Sequence, residues 1–191
     1  MKKYVNLPKY WLKSFPFKVN SSHKYSRGQL IVVGGEKEMI GATILSSETA
    51  LRTGVGSVKI ICNKKTFPIY SLKFPSALKK EINSFKEFKK FVLQNKKAVY
   101  LIGPGAGSNI HTKKRTEFLL KNIKYVILDA DALTSFKKDL KTLYRLSDEN
   151  KIITPHIKEF ITIFPKLKKL KSSYLKVINA CKLVNCTIVL K

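Results

Sequence analysis

The chain has 191 residues, 38 of them Lys or Arg and 12 Asp or Glu, for a formal net charge of +26. That length suits one domain with its own hydrophobic core, and an apolar share of 44% beside 26% charged residues excludes general disorder. The longest apolar runs, at 30–33 and 125–128, fall far short of the roughly 18 residues a membrane-spanning helix needs, so a span of that kind is excluded.

Residues 1–22 read as a polar leader, broken by Pro8, Lys9, Lys13 and Pro16. It has no continuous apolar stretch of the kind a signal peptide carries. A cytoplasmic protein is therefore expected, with one domain over 23–191. Strands are predicted at 30–33, 57–62, 98–102, 125–129, 151–153 and 187–190, each rich in Val and Ile and bounded by turn residues. Helices are predicted near 42–53, 83–94, 111–121, 137–146 and 172–184, and a further one opens at His156. The segment 63–82, with Pro68 and Pro75, reads as an irregular excursion beside a site. Strands alternating with helices imply a mainly parallel sheet with helices on both faces, a three-layer α/β/α domain. The chain stops at Lys191 directly after a strand, so the fold is expected to be incomplete at its C-terminal end.

The three cysteines, Cys62, Cys181 and Cys186, form no CxxC pair and read as reduced thiols rather than a disulfide framework or a zinc site; no metal site is expected. The positive charge comes almost entirely from lysine, with arginine only at 27, 52, 115 and 145. Arginine is the residue that grips phosphate bidentately and stacks on bases, so a specific nucleic-acid binder is not expected; the lysines read as a solvated surface.

In an open parallel sheet, ligands bind at the carboxyl ends of the strands. Four such ends carry unusual residues. Gly34-Gly35 follows the first strand, and Gly41-Ala42 opens the next helix, an arrangement that gives a ligand access to backbone N–H groups or makes only a tight turn. Gly103-Pro104-Gly105-Ala106-Gly107 exposes its own backbone and suits a phosphate or a flat ring, but it is neither a GxGxxG nor a P-loop. Asp129 and Asp131 are placed to hold a magnesium ion, to bind a substrate hydroxyl, or to cap the following helix. His156 and Glu159 in Thr154-Pro155-His156-Ile157-Lys158-Glu159 share one helix face, with His156 the histidine best placed to meet a ligand.

Taken together, GQLIVVGGEKEMIGATILSSETALRTGVGSVKI, LIGPGAG, VILDADAL and ITPHIKEF closely resemble the ADP/ATP-dependent NAD(P)H-hydrate dehydratases, a branch of the ribokinase-like superfamily. The resemblance runs from about His23 to Lys191. It implies nicotinamide-cofactor repair: dehydration of the S epimer of NADHX and NADPHX, with ADP or ATP as phosphoryl donor and Mg2+ as companion ion. It implies that Ala42, Gly105, Gly107 and His156 bind the hydrated dinucleotide, with Gly41, Asp129, Asp131 and Glu159 as secondary candidates. It also implies that Lys191 is the lysine opening the nucleotide-binding segment. An NAD(P)H-hydrate epimerase is the functional partner it suggests, with a homo-oligomer or a complementing C-terminal fragment as assembly. Where the family has Pro-Gly after the histidine this chain has Ile157-Lys158, and the family's NxGxGD-like motif with its catalytic aspartate lies beyond Lys191. This chain alone is therefore expected to be inactive. The alternatives are a small-molecule kinase of the same superfamily and a basic remnant that binds RNA or an anionic surface.

Overall fold

Short Val-, Ile- and Leu-rich runs become the strands of a parallel sheet in the computed structural model, which describes residues 4–17, 19–24, 26–36 and 38–191. In chain order the strands are β1 (Gln29–Val33), β2 (Ser57–Cys62), β3 (Leu78–Glu81), β4 (Val99–Ile102), β5 (Val126–Leu128), β6 (Lys151–Ile153) and β7 (Thr187–Ile188). They stand in the order β3-β2-β1-β4-β5-β6-β7, and every pairing is parallel. The order reverses between β1 and β4. The helices that follow these two neighbours pack on opposite faces of the sheet, which makes their carboxyl ends the topological switch point.

The helices are α1 (Ile40–Arg52), α2 (Phe67–Lys73), α3 (Phe85–Gln94), α4 (Ile110–Asn122), α5 (Asp131–Thr134), α6 (Leu140–Leu146), α7 (Ile157–Ile163) and α8 (Ser173–Val184). Strand alternation divides the interior in two. Ile31 and Val33 of β1, Tyr100 and Ile102 of β4 and Leu128 of β5 meet Phe88, Leu119, Phe136, Leu143, Phe160 and Val184 from α3 through α8 in the larger core. Leu30 and Val32 turn the other way, with Val58 and Ile60, onto Ile40 of α1 and Tyr70 and Phe74 of α2. The expected three layers are present, but unequally: α1 and α2 alone build the second face.

The segment 63–82 departs from expectation, because it holds both α2 and β3. Pro68 sits in the first turn of α2, where its missing N–H would have had no partner anyway, so it starts the helix rather than breaking one. β3 reads Leu-Lys-Lys-Glu and is an edge strand whose Leu78 is exposed, so it lacks the apolar signature of a central strand. β7 is shorter than predicted, although Val189 N–H still donates to Ile153 O at 2.9 Å. α6 begins at Leu140 rather than 137 because Asp139 caps it, its Oδ1 accepting from Thr142 N–H. The three cysteines are free thiols, and burial pushes Cys62 up to about 11 and Cys186 to about 12.

Asp139 also accepts from Lys113 Nζ at 2.7 Å, and this bond, with those from Thr142, holds its carboxyl below the ordinary value. A depressed folded-state pKa gives stability that is fully present above the unfolded value and is lost as pH falls through the folded one. The thermal midpoint is accordingly expected to fall as the solution is taken below about pH 4. Asp139→Asn, followed by thermal melts across that range, should flatten part of the decline.

Candidate functional site

A continuous set of hydrogen bonds stitches the strand ends together along the carboxyl edge of the sheet. Gly35 N–H donates to Pro104 O at 3.0 Å and Glu36 N–H to Gly105 O at 2.8 Å, so the loops leaving β1 and β4 are zipped at the switch point. On the β4 side, Gly107 N–H donates to Asp131 Oδ2 at 2.9 Å. Thr154 Oγ1, after β6, donates to Asp129 Oδ1 at 2.7 Å. The Lys191 ammonium lies 2.6 Å from that same oxygen, and Lys191 N–H donates to Pro155 O. Five strand ends, those of β1, β4, β5, β6 and β7, thus carry one connected rim.

Neither aspartate caps α5, so that reading is corrected. The N-cap is Ala130, which has no side-chain cap bond and sits at φ 43°, a costly conformation for a residue with a Cβ. Residues i and i+2 of an extended strand point the same way. The twist at Ala130 separates them, sending Asp129 towards β6 and β7 and Asp131 towards the β4 loop.

His156 and Glu159 meet as their spacing predicted. His156 Nδ1 accepts from Lys158 and Glu159 N–H at 3.1 and 3.2 Å, while Glu159 Oε2 accepts from His156 N–H at 2.9 Å. This reciprocal cap opens α7. The remaining ring nitrogen, Nε2, lies 3.2 Å from Glu159 Oε1, with the imidazole half exposed. Nδ1 must be unprotonated to accept, so the neutral ring carries its proton on Nε2. The pair bonds to itself and to its own helix, not to Asp129 or Asp131.

Gly41 and Ala42 lie in the first turn of α1, whose N-cap Met39 offers no side-chain acceptor. A Cβ at Gly41 would meet nothing within 4 Å. Alanine there should stabilise the fold by about 0.8 kcal/mol through helix propensity. If a ligand lies against this turn, the same methyl weakens its binding. Thermal melts and a binding titration on Gly41→Ala separate the two effects.

Across the zipped wall lies a cavity of about 200 Å³ lined by Gly34, Gly35, Glu36, Asn63, Asn83 and Arg115, among others. Arg115 lies over the Phe88 ring at 5.4 Å, and burial holds its guanidinium below the ordinary value despite the Glu36 charge nearby. Sequence reading singled out Gly34 and Gly35 but missed Asn63, Asn83 and Arg115. The available signal was polar Asn63 directly after β2 and Asn83 two residues after β3, but β3 itself went unseen. Among the described residues no group of three or more His, Cys, Asp or Glu side chains is placed to hold a metal ion.

The family model for NAD(P)H-hydrate dehydratase matches residues 30–191. The chain belongs to that family. An ADP-dependent (S)-NAD(P)H-hydrate dehydratase from Staphylococcus aureus is 30% identical over 150 residues, covering 77% of this chain and 52% of that protein. Among solved structures, a ribokinase-like superfamily protein from Enterococcus faecalis V583 superposes with a TM-score of 0.79 at 24% identity, covering all of this chain and 68% of the other. The ADP/ATP-dependent NAD(P)H-hydrate dehydratase from Bacillus subtilis, co-crystallised with ATP and Mg2+, gives a TM-score of 0.70 at 26% identity, covering 92% and 62%. The dehydratase-family chain thus spans about half the length of the curated Staphylococcus relative and about two thirds of these solved neighbours.

Proposed function

We propose that this chain provides the dinucleotide-binding side of an ADP- or ATP-dependent NAD(P)H-hydrate dehydratase. The observation that carries the reading is the zipped pair of glycine loops at the β1/β4 switch point, on the same carboxyl edge of the sheet as His156, in a chain of this family. Ala42, Gly105, Gly107 and His156 are the residues assigned to the hydrated dinucleotide, with Gly41, Asp131 and Glu159 holding or flanking them. Lys191 is assigned to the phosphate of the adenine nucleotide, its ammonium steered by Asp129.

Dehydration of the nicotinamide hydrate needs a better leaving group than hydroxide. Transfer of a phosphoryl group to the ring hydroxyl, followed by elimination of phosphate, supplies one. An Mg2+ ion would neutralise charge on the nucleotide phosphates. Lys191 offers a nucleotide an ammonium at this rim, and among the described residues no group of three or more His, Cys, Asp or Glu is placed to hold a metal, so the ion would arrive bound to the nucleotide.

The first chemical step needs a base on the ring hydroxyl. Asp129 is occupied by Thr154 and Lys191, Asp131 by Gly107, and Glu159 by His156. These three carboxylates are each engaged in holding the rim, and the further one beside it, Glu36, accepts from Asn63 Nδ2 at 3.3 Å. Purified 1–191 is therefore expected to bind NADPHX or NADPH without turning the hydrate over. Calorimetric binding and recovery of absorbance at the reduced-nicotinamide band, with ADP or ATP and Mg2+ present, test the two halves. Turnover by this chain would overturn the assignment of roles, and absence of dinucleotide binding would overturn the site.

A further inference from the structure

We propose that the cavity across the zipped wall is a phosphate-binding subsite in which Arg115 grips the ligand. Gly34, Gly35 and Glu36 line it after β1 and Asn63 after β2, with Asn83 beyond β3 and Arg115 reaching in from α4. At about 200 Å³ it is smaller than the roughly 300–1,000 Å³ that encloses a whole drug-sized molecule. It suits a small ion, or one group of a larger ligand.

The hydrogen bonds already made decide which group. Asn63 Oδ1 accepts from the Lys65 and Thr66 N–H groups, and its Nδ2 donates to Glu36 Oε2. Asn83 Oδ1 accepts from Lys64 N–H, and its Nδ2 donates to Glu81 Oε1 at 2.7 Å. Both amides are thus held by the protein itself. Arg115 has a ring for a neighbour instead: it lies over Phe88, and among the described residues it forms no ion pair and no side-chain hydrogen bond. A guanidinium stays charged and carries its N–H donors in a rigid planar fork. Stacking on Phe88 fixes that plane, and burial takes away part of the water that would satisfy it. The cavity therefore lacks an acceptor with negative charge, and a tetrahedral phosphate offers oxygens spaced for the two-pronged grip. Two sources carry this group: inorganic phosphate, and the 2′-phosphate that distinguishes NADPH from NADH. The second source rests on the dinucleotide reading, because Gly35 and Glu36 are also the β1 side of the zipped wall. An arginine that accommodates the 2′-phosphate is one way dinucleotide folds tell the two cofactors apart. Glu36 lines the same cavity and opposes an anion there.

The test uses the purified chain, with inorganic phosphate, NADPH and NADH as probes at constant ionic strength. Phosphate should shift the Nε–H resonance of Arg115, which is identified among four arginines by its disappearance in Arg115→Gln. A surface of formal charge +26 attracts any anion, so Lys114→Gln, exposed and next along α4, is the charge-matched control. By calorimetry, Arg115→Gln, checked for folding by circular dichroism, should weaken phosphate binding roughly 10- to 100-fold through loss of a charge-assisted grip. Lys114→Gln should change it by less than about twofold. Glu36→Gln keeps the arginine and should tighten binding roughly two- to fivefold. The dinucleotides separate the sources. An NADPH preference of roughly tenfold that Arg115→Gln removes assigns the 2′-phosphate, and equal affinities with phosphate binding intact assign the free ion. Equal weakening by Arg115→Gln and Lys114→Gln, or a resonance that phosphate leaves unmoved, overturns the subsite. A chain that binds phosphate through Arg115 and binds neither dinucleotide supports the subsite and counts against the proposed function alone.

Discussion

Gly103→Ala is expected to be the most damaging single change at the site, lowering stability by about 3 kcal/mol and the thermal midpoint by roughly 10 °C. Two effects combine. Gly103 has φ 125°, which strains any residue bearing a Cβ by about 1–3 kcal/mol. The added carbon would also lie 1.8 Å from Asp129 O and 2.8 Å from its carbonyl carbon, backbone atoms that cannot rotate away. Asp129 N–H is bonded to Ile102 O, so the strand end has to part from its neighbour to make room. Gly28→Ala isolates the first effect, because Gly28 has φ 73° with nothing within 4 Å of where a methyl would sit, and it should cost about 1 kcal/mol. Thermal and denaturant unfolding of the two variants measures both. Equal losses would show that close packing of the β4 and β5 ends is not what demands glycine at 103.

The central strands were legible in the sequence because burial on both faces leaves continuous runs of Val, Ile and Leu, as in β1 and β2. β3 was not, since an edge strand needs few apolar residues: Leu78 and Lys80 are exposed, and Lys79 on the other face reaches the Phe74 carbonyl. Local site geometry was equally readable: a spacing of three from His156 to Glu159 suffices to place them together at the start of α7. The aspartates behaved differently. Capping and metal binding are local readings of Asp129 and Asp131, whereas their actual partners stand 62 and 24 residues away in Lys191 and Gly107. Only the pairing of β4 with β5, of β5 with β6 and of β6 with β7 brings those partners within reach. Arg115 stayed hidden for the same reason, being one arginine among exposed helical lysines until α4 packs against the sheet.

On the proposed assignment, Asp131→Ala is expected to weaken dinucleotide binding by roughly 10- to 100-fold, because Asp131 holds the β4 loop. Gly107 is the last glycine of the β4 loop, and the bond from its N–H to Asp131 is the side-chain tie between that loop and β5. A hydrogen bond to a charged acceptor contributes about 1.5–3 kcal/mol, which converts to a factor of that order if the loop must be ordered at the moment of binding. The tie is built at a cost, since Ala130 is held at φ 43° to aim Asp131 away from Asp129. Asp131→Asn keeps an acceptor oxygen and should restore most of the affinity. Fluorescence titration with NADPH reads the loss, and amide exchange at Gly107 reads its cause. Faster exchange at Gly107 with unchanged affinity would place this loop outside the dinucleotide site. Slow exchange with lost affinity would instead give Asp131 a direct contact with the ligand.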